Sequence, residues 1–374
     1  MFFSIINYII FIIIKGDVIM FLAFKEIIHE KIRYALIIAI IALISYLIFI
    51  LTSLSQGLAN ENTSAIKTWQ INSIVLNKNA NLSLQQSMLT NQQVLSLKQN
   101  GNDALIGQSG IVVKHKDNKS ISAVFIGIKK SQFIYKNMKI VKGHKFNKPN
   151  QVVLDSSFIN SGYKLGQCIQ INSGKSKFKI VGFVNDAKIN IAPIVYGNLS
   201  NWRTISNLNS NLSANALVSR NVTYKINKNN SKELKSYSVN QFISKLPGYA
   251  AQNITFEFMI CFLMVISFIV ISIFLYIVTI QKIPNYSVLR AQGVPAKMLI
   301  MTTIAQSFIL VISGIISGAI FTWITYLLIP SQVPMSFNVP ILLLVGFGLI
   351  LMSMLGSLLP VREILKIDPV KAIN

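Results

Sequence analysis

Four long apolar runs divide the chain. The first runs from Tyr34 to Leu54, and the second covers 258–280 without a charged residue. The third and fourth cover about 299–329 and 340–359. An α-helix needs about 20 apolar residues to cross the hydrocarbon core of a bilayer. The pattern therefore predicts four transmembrane helices.

A polar stretch, 55–253, separates the first run from the second, and its pattern is different. Short apolar segments alternate with clusters of turn residues, which is typical of strands joined by loops. The predicted strands are 71–76, 111–115, 123–128, 152–154, 168–172 and 178–184. The predicted short helices are 91–99, with Thr90 as N-cap, 156–161 and 238–245. We expect an α+β domain of roughly 200 residues, large enough for its own core.

Short basic loops fix the orientation. The loop 281–298 carries Lys282, Arg290 and Lys297, and short loops rich in Lys and Arg stay in the cytoplasm. The insert is too long for that rule, so its basic charge is compatible with an extracellular location. The prediction is an α-helical membrane protein with spans arranged 1 + 3 around a large α+β extracellular domain, a short extracellular loop at 330–339 and both termini in the cytoplasm.

The predicted segments follow from these boundaries. They are 20–54 (an amphipathic cytoplasmic helix and the first span), 55–253, 254–280, 281–298, 299–329, 330–339 and 340–374, the last being the fourth span and cytoplasmic tail. Residues 1–19 lack the flanks of a signal peptide. Codons for Lys15, Gly16 and Asp17 can form a ribosome-binding sequence before Met20. We therefore expect translation to start at Met20, which makes 1–19 a misannotated extension.

Composition supports a membrane protein with a basic polar domain. Hydrophobic residues make up 52% of the 374 residues, and the mean hydropathy is +0.54. The formal net charge is +23, and 55–253 holds 25 Lys and Arg against 6 Asp and Glu. If this domain lies outside the membrane, anionic cell-wall polymers or lipid headgroups suit it better than nucleic acid. The alternative is that the lysines serve solubility alone.

Motifs for catalysis or cofactor binding are missing from the sequence. Gly174, Lys175 and Ser176 resemble the end of a phosphate loop, but Ile169 stands where its first Gly belongs. The two cysteines, the three histidines and the twelve acidic residues show no metal-ligand spacing. We therefore expect no enzyme activity, no metal and no permanently bound cofactor, and an insert that recognises a partner or transmits motion.

The loop after the second run is amphipathic. Its apolar residues are Ile283, Val288, Leu289, Val294 and Leu299. Its polar residues Arg290, Gln292 and Lys297 are suited to contact with a partner, although a plain connector would look similar.

Three sequence stretches resemble the MacB/FtsX-type ABC permease family. They are TIQKIPNYSVLRAQGVPAKMLIMTTIAQSFIL (279–310), LPVREILKIDPVKAI (359–373) and KGHKFNKPNQVVLDSSFINSGYKLGQCIQINSGKSKFKIVGFVND (142–186). The likeness covers nearly the whole chain from Met20 onward. Within the family, LSQGLANEN (54–62) is most similar to the haem-regulated efflux branch, the HrtB type.

The resemblance implies the type VII ABC permease architecture and a set of partners. These are two copies of a separate ABC ATPase, a second copy of this permease, and membrane lipids, with no nucleic acid. ATP would act only through the partner ATPase, whose motion would be relayed across the membrane by mechanotransmission. The residues that the resemblance sets against the ATPase are Tyr286, Leu289, Arg290, Gly293, Val294 and Lys297. Gln292 departs from the family, which usually has an apolar residue there.

Haem is the substrate that the resemblance implies. A haem site needs aromatic faces, an iron ligand and groups for the propionates. Residues near the outer ends of the first two spans offer these side chains: Tyr46, Phe49, Tyr249, Phe256, Glu257 and Met259. The alternatives are an interfacial aromatic belt, helix packing and an interfacial Glu257 just above the hydrocarbon.

Two further functions stay open at this point. One is efflux of, or resistance to, antimicrobial peptides or lipids. The other is a non-transporting role, as in the FtsX branch, in which the ectodomain regulates a cell-wall hydrolase. A hydrolase that binds the domain 55–253 would favour the second.

Overall fold

The chain forms two compact units, Met1–Gly57 with Ile254–Asn374, and Leu58–Asn253. We call the first the membrane unit and the second the insert unit. The computed structural model describes residues 27–97, 99–115, 118–172, 174, 176–226, 232–330 and 333–365. The predicted extension 1–19 and the C-terminal DPVKAI segment lie outside the described residues.

The elements are numbered in chain order. The helices are α1 Lys31–Trp69, α2 Asn91–Ser96, α3 Phe133–Asn137, α4 Ser157–Asn160, α5 Leu199–Ile205, α6 Val239–Ser244, α7 Tyr249–Ala291, α8 Ala296–Leu328, α9 Val339–Gly356 and α10 Leu358–Leu365. The strands are β1 Ser73–Asn77, β2 Leu89–Thr90, β3 Asp103–His115, β4 Asn118–Ile128, β5 Ile140–Gly143, β6 Gln151–Asp155, β7 Cys168–Ile171, β8 Lys177–Val184, β9 Lys188–Ile189, β10 Ala192–Asn198, β11 Leu212–Ala214, β12 Ala216–Ser219 and β13 Leu234–Ser238.

The membrane unit confirms the four predicted spans. The helices α1, α7 and α8, and α9 together with α10, are long and apolar enough to cross a membrane. Gly314 and Gly318 let α8 pack directly on α1, because a Cβ atom would lie 2.5 Å from Ile41 Cγ2 at the first glycine and 2.2 Å from Ser45 Oγ at the second. The Ser45 hydroxyl also donates to the carbonyl of Gly314 at 3.3 Å.

Two helices run further than the apolar pattern predicts. The first does not end near Leu54 but continues to Trp69, and the second does not end at 280 but continues to Ala291. The residues 281–291 are therefore the last three turns of α7 rather than a separate helix. Pro284 lies inside α7 without ending it.

The insert unit is built on one mixed sheet of eleven strands, which confirms the predicted α+β class. The order is β13-β1-β12-β3-β4-β10-β6-β8-β5, with β7 pairing with β3 and β8, and β9 pairing with β10. The strands β4 and β10 are parallel, as are β6 and β8. The strands β2 and β11 form a separate antiparallel pair.

Alternate residues of the strands fill two cores, one on each face of the sheet. Ile74 belongs to one core and its neighbour Val75 to the other. Trp69, in the last turn of α1, packs in the first core and donates its Nε1 hydrogen to the Tyr196 hydroxyl at 2.9 Å. Trp202 is fully buried in the second core, against Gly107.

The six predicted strands are all present, with ends that differ by a few residues, except that β3 begins eight residues earlier. The remaining seven strands were not predicted. The predicted helices are also present, and Thr90 caps α2 in a capping box with Gln93.

Candidate functional site

The turn after α7 has a well-defined geometry. Gly293 adopts φ +92°, its N–H donates to the Arg290 carbonyl at 3.1 Å, and the Val294 N–H donates to the Leu289 carbonyl at 3.0 Å. This pair of bonds is a Schellman motif, which ends a helix through a residue in the left-handed region. Gly293 takes this left-handed conformation without a steric cost, and the motif fixes the positions of Leu289 and Arg290.

The inner side of this turn is a small apolar core. Tyr286, Leu299 and Ile364 are buried together, and Val294 packs against them. The Tyr286 hydroxyl lies 3.2 Å from Thr303 Oγ1. The last turns of α7, the start of α8 and α10 are thus held in one cluster.

The outer side of the turn is a surface. Leu289 is 37% exposed and Val288 is 52% exposed, although both are apolar. Arg290 is half-buried, and Lys297 is exposed in the first turn of α8. Of the six predicted coupling residues, Leu289, Arg290, Gly293 and Lys297 are therefore accessible to a partner. Tyr286 and Val294 instead belong to the supporting core.

A buried polar cluster lies one helical turn before Tyr286, and sequence analysis missed it. Lys282 is 4% exposed, and its Nζ donates to the Tyr34 hydroxyl at 2.6 Å and to Gln306 Oε1 at 3.1 Å. The same Nζ lies 5.4 Å from the centre of the Tyr34 ring. An ammonium group is buried only where hydrogen bonds replace water. Lys282 therefore ties α7 to α1 and α8.

A signal for this cluster exists in the sequence. Lys282 and Tyr286 are four residues apart and so share one face of a helix. That face carries Leu275 and Thr279 further up α7, and all four side chains are buried. The predicted end of the helix at 280 hid this relationship.

The two haem candidates on α1 face different neighbours. The Tyr46 hydroxyl lies 3.0 Å from Thr325 Oγ1, and its ring meets the edge of Phe321. Phe49 is buried in a cluster with Val345 and Leu349. Both side chains are engaged in packing between the helices of the membrane unit.

The four candidates around the start of α7 have different surroundings. Tyr249 belongs to the insert unit, where it packs against the first core. Phe256 is half-buried, whereas Glu257 and Met259 are exposed. The neighbouring Phe258 is 70% exposed and stacks on Phe262, with ring centres 6.4 Å apart.

An apolar cavity of about 450 Å³ lies between α1, α8 and α9. Its lining residues are Phe49, Ile315, Ile316, Ala319, Thr322, Phe337, Val339, Leu342, Leu343, Gly346, Phe347 and Ile350. Phe49 is the one haem candidate among them. The Thr322 hydroxyl donates to the carbonyl of Gly318, so the wall offers apolar contact rather than an iron ligand or a cation.

Among the residues with described positions, no three His, Cys, Asp or Glu side chains lie close enough together to hold a metal ion. Cys168 and Cys261 are both free thiols and exposed.

Comparison with known sequences gives two kinds of match. Residues 257–369 match the family described as FtsX-like permease C-terminal. The provisionally named hemin transport system permease protein HrtB of Staphylococcus haemolyticus strain JCSC1435 is 27% identical over 363 residues, covering 94% of this chain and 99% of that protein. The protein of the same name from Staphylococcus epidermidis strain ATCC 12228 is 25% identical over 353 residues, covering 94% and 99%.

Comparison with solved structures gives weaker matches. The periplasmic region of MacB from Actinobacillus actinomycetemcomitans covers 47% of this chain and 95% of its own, with 16% identity and a TM-score of 0.33. The extracellular domain of the transporter YknZ from Gram-positive bacteria covers 43% and 86%, with 12% identity and a TM-score of 0.29. Both TM-scores are below 0.5, so these structures add nothing to the description of the fold.

Proposed function

We propose that the chain is the permease subunit of an ABC exporter, that it works with a separate ATPase subunit, and that it exports haem from the membrane. The match of residues 257–369 to the FtsX-like permease C-terminal model supports the permease class. Haem enters this proposal as substrate, not as a resident cofactor. The support for haem is the name of two relatives that cover 94% of the chain.

The observation that carries the transport proposal is the turn after α7. An accessible set, Leu289, Arg290 and Lys297, is held on a buried cluster formed by α7, α8 and α10. A surface that receives force needs such a rigid support. We assign this turn to contact with the ATPase, which puts the turn and both termini in the cytoplasm and the insert unit outside the cell.

The proposed assembly has two permease subunits and two ATPase subunits. ATP binding and hydrolysis would occur only in the ATPase subunits, because the sequence has no phosphate-loop motif. Movement of the turn would then be passed along α7 and α1, the two helices that contribute residues to both units. Haem would leave by mechanotransmission.

Glu257 and Met259 are the candidates proposed to contact haem. Both are exposed near the start of α7, and a carboxylate and a thioether are groups that can approach the iron. The exposed pair Phe258 and Phe262 offers an aromatic surface nearby.

Growth on haem tests this proposal. Deleting the gene should lower haem tolerance, and Glu257→Ala should lower it while membrane abundance stays unchanged. Arg290→Ala should lower tolerance to any exported substrate, because it acts on coupling. If the deletion strain grows normally on haem, the haem assignment fails and the permease class remains.

One observation favours a second substrate class. The cavity of about 450 Å³ is lined almost entirely by apolar side chains, which suits the tail of a lipid or an amphipathic peptide. Normal haem tolerance combined with sensitivity to such a compound in the deletion strain would select this alternative.

A further inference from the structure

The insert unit carries a concentrated basic segment. Between 129 and 148 the sequence has seven lysines, and between 118 and 154 it has no Asp or Glu. We call these seven residues the basic stripe: Lys129, Lys130, Lys136, Lys139, Lys142, Lys145 and Lys148. The last five stand at every third position. The density of lysines and the lack of acids in this segment distinguish the stripe from the rest of the insert unit.

Hydrogen bonds draw the two ends of the stripe together. Lys130 Nζ donates to the carbonyl of Asn147, and Lys145 Nζ donates to the carbonyl of Lys136 at 2.6 Å. The Tyr135 hydroxyl donates to the Phe146 carbonyl at 2.8 Å. These bonds tie α3 to the chain after β5, so the lysines from both segments share one surface.

The middle of the stripe is a modified edge strand. The strand β5 ends the main sheet and pairs with β8, with a register shift between Ile140 and Lys142. Gly143 follows in the left-handed region, at φ +86°. A bulge and lysines at a sheet edge oppose the addition of another strand. A partner of this surface is therefore recognised by side-chain charge and not by strand pairing.

Neighbouring acids do not neutralise the stripe. Asp155 is buried and accepts the N–H groups of Ser157 at 2.9 Å and Ala187 at 3.0 Å. Asp186 is exposed and lines a small groove with Asn137. Among the described residues, the ion pairs are Arg33–Glu30 and Lys188–Glu61, and neither uses a lysine of the stripe.

We propose that the basic stripe binds a linear phosphate polymer that carries about one negative charge on each repeat. Lysines from α3 and from the chain around β5 are brought together without acidic neighbours in the sequence, and the release of counterions from a polyanion drives binding to such a surface. A lipid surface fits less well, because membrane-surface segments combine basic residues with a broad apolar face. Here Val141 is the large apolar side chain exposed within the stripe.

Binding of fluorescently labelled linear polyphosphate to the full chain in neutral-lipid nanodiscs tests this proposal. The test variant is K139Q/K142Q/K148Q, which spares the lysines that hold α3 in place. The control variant, K78Q/K235Q/K245Q, removes the same charge from exposed lysines on or beside β1 and β13, at the other end of the sheet. Both variants should keep the wild-type unfolding temperature, because exposed substitutions have small effects.

The stripe variant should bind about tenfold or more weakly at low salt, with a shallower dependence of log affinity on log salt. The control variant should stay within about twofold of wild type. Equal losses in both variants would overturn the proposal in favour of net charge alone. Binding of the wild-type chain to anionic vesicles but not to polyphosphate, or to neither, would also overturn it.

Discussion

The membrane unit and the insert unit differ most in the side chains that they expose. The membrane unit buries Lys282 and Gln306, while Leu343 and Phe347 are exposed by 68% and 61%. The insert unit buries Trp202 completely and keeps its many lysines at the surface. Lipid solvates apolar side chains as well as a protein core does, so helices in a membrane gain from close packing and internal hydrogen bonds instead. In the membrane unit, exposed apolar residues such as Leu343 and Phe347 therefore mark a lipid-facing surface, whereas in the insert unit Val141 and Val222 are single apolar residues at a polar surface.

Close packing is also reached by opposite means. In the membrane unit, Gly318 removes a side chain so that α8 can touch α1 at Ser45. In the insert unit, Gly107 and Gly127 remove side chains so that one large ring, Trp202, can fill the space. Close contact between α8 and α1 thus depends on a missing side chain, whereas the core against the sheet depends on a large side chain that fills the available volume.

Replacing one tryptophan in each unit should give the largest difference in the loss of stability. Trp202→Ala should destabilise the insert unit by about 3–5 kcal/mol, because it leaves a large cavity in a closed core. Trp323→Ala should change stability by less than about 1 kcal/mol, because the ring is 55% exposed on α8. Denaturant unfolding of the purified full chain measures both. Similar losses would show that exposure on α8 is not exposure to lipid.

Two glycines of the membrane unit test whether close helix packing depends on a missing side chain. Gly318→Ala should cost about 2 kcal/mol, because its Cβ would lie 2.2 Å from Ser45 Oγ. Gly348→Ala is the control, since its Cβ would lie 3.5 Å from Met264 Cε, an ordinary contact. Thermal unfolding in detergent should separate the two. Equal effects would contradict direct packing of α8 on α1.

Removing the buried ammonium group of Lys282 should have a smaller effect on the free energy of unfolding. Lys282→Met should cost about 1–2 kcal/mol, because Tyr34 and Gln306 each lose a hydrogen bond while the apolar stem is kept. Lys297→Met, at an exposed position, should stay within about 0.5 kcal/mol. The measurement is thermal unfolding of the three purified proteins. A stabilised Lys282→Met protein would mean that burying the charge costs more than its bonds return.

The surface of the turn gives the smallest effect on stability. Arg290→Ala should change the free energy of unfolding by less than about 0.5 kcal/mol, because the side chain is half-buried and outside the apolar cluster. ATP hydrolysis by the reconstituted complex should nevertheless fall several-fold. Ser287→Ala, one turn earlier, is a control with an expected normal rate. A normal rate in Arg290→Ala would remove this residue from the proposed contact.

The sequence was most informative where local chemistry decides the structure. Four spans follow from apolar runs of sufficient length. The turn at Gly293 is a local feature that needs no tertiary contact to explain it. The spacing of Gly314 and Gly318 permits close packing of α8, but only the structure shows that the neighbour is α1.

Prediction failed where distant parts of the chain decide. Helix α1 continues past Leu54 because Asn62 and Thr63 bond back to carbonyls of their own helix, and because Ile66 and Trp69 pack on the sheet. Strands such as β12 are stabilised by the neighbours on either side of them in the sheet. The haem candidates stay a prediction. They lie in the packing of α1, at the surface of α7 and in the insert unit.

Pro284 has a mechanical consequence for α7. Proline has no N–H, so the carbonyl of Ile280 lacks its usual helical partner, and a helix bends most easily at such a gap. Pro284 lies between Lys282 and Tyr286, whose side chains form hydrogen bonds with neighbouring helices. A force applied to the end of α7 therefore acts on a helix that bends most easily at Pro284. The hydrogen bonds of Lys282 and Tyr286, one on each side of Pro284, limit this bending and so set the stiffness of the helix.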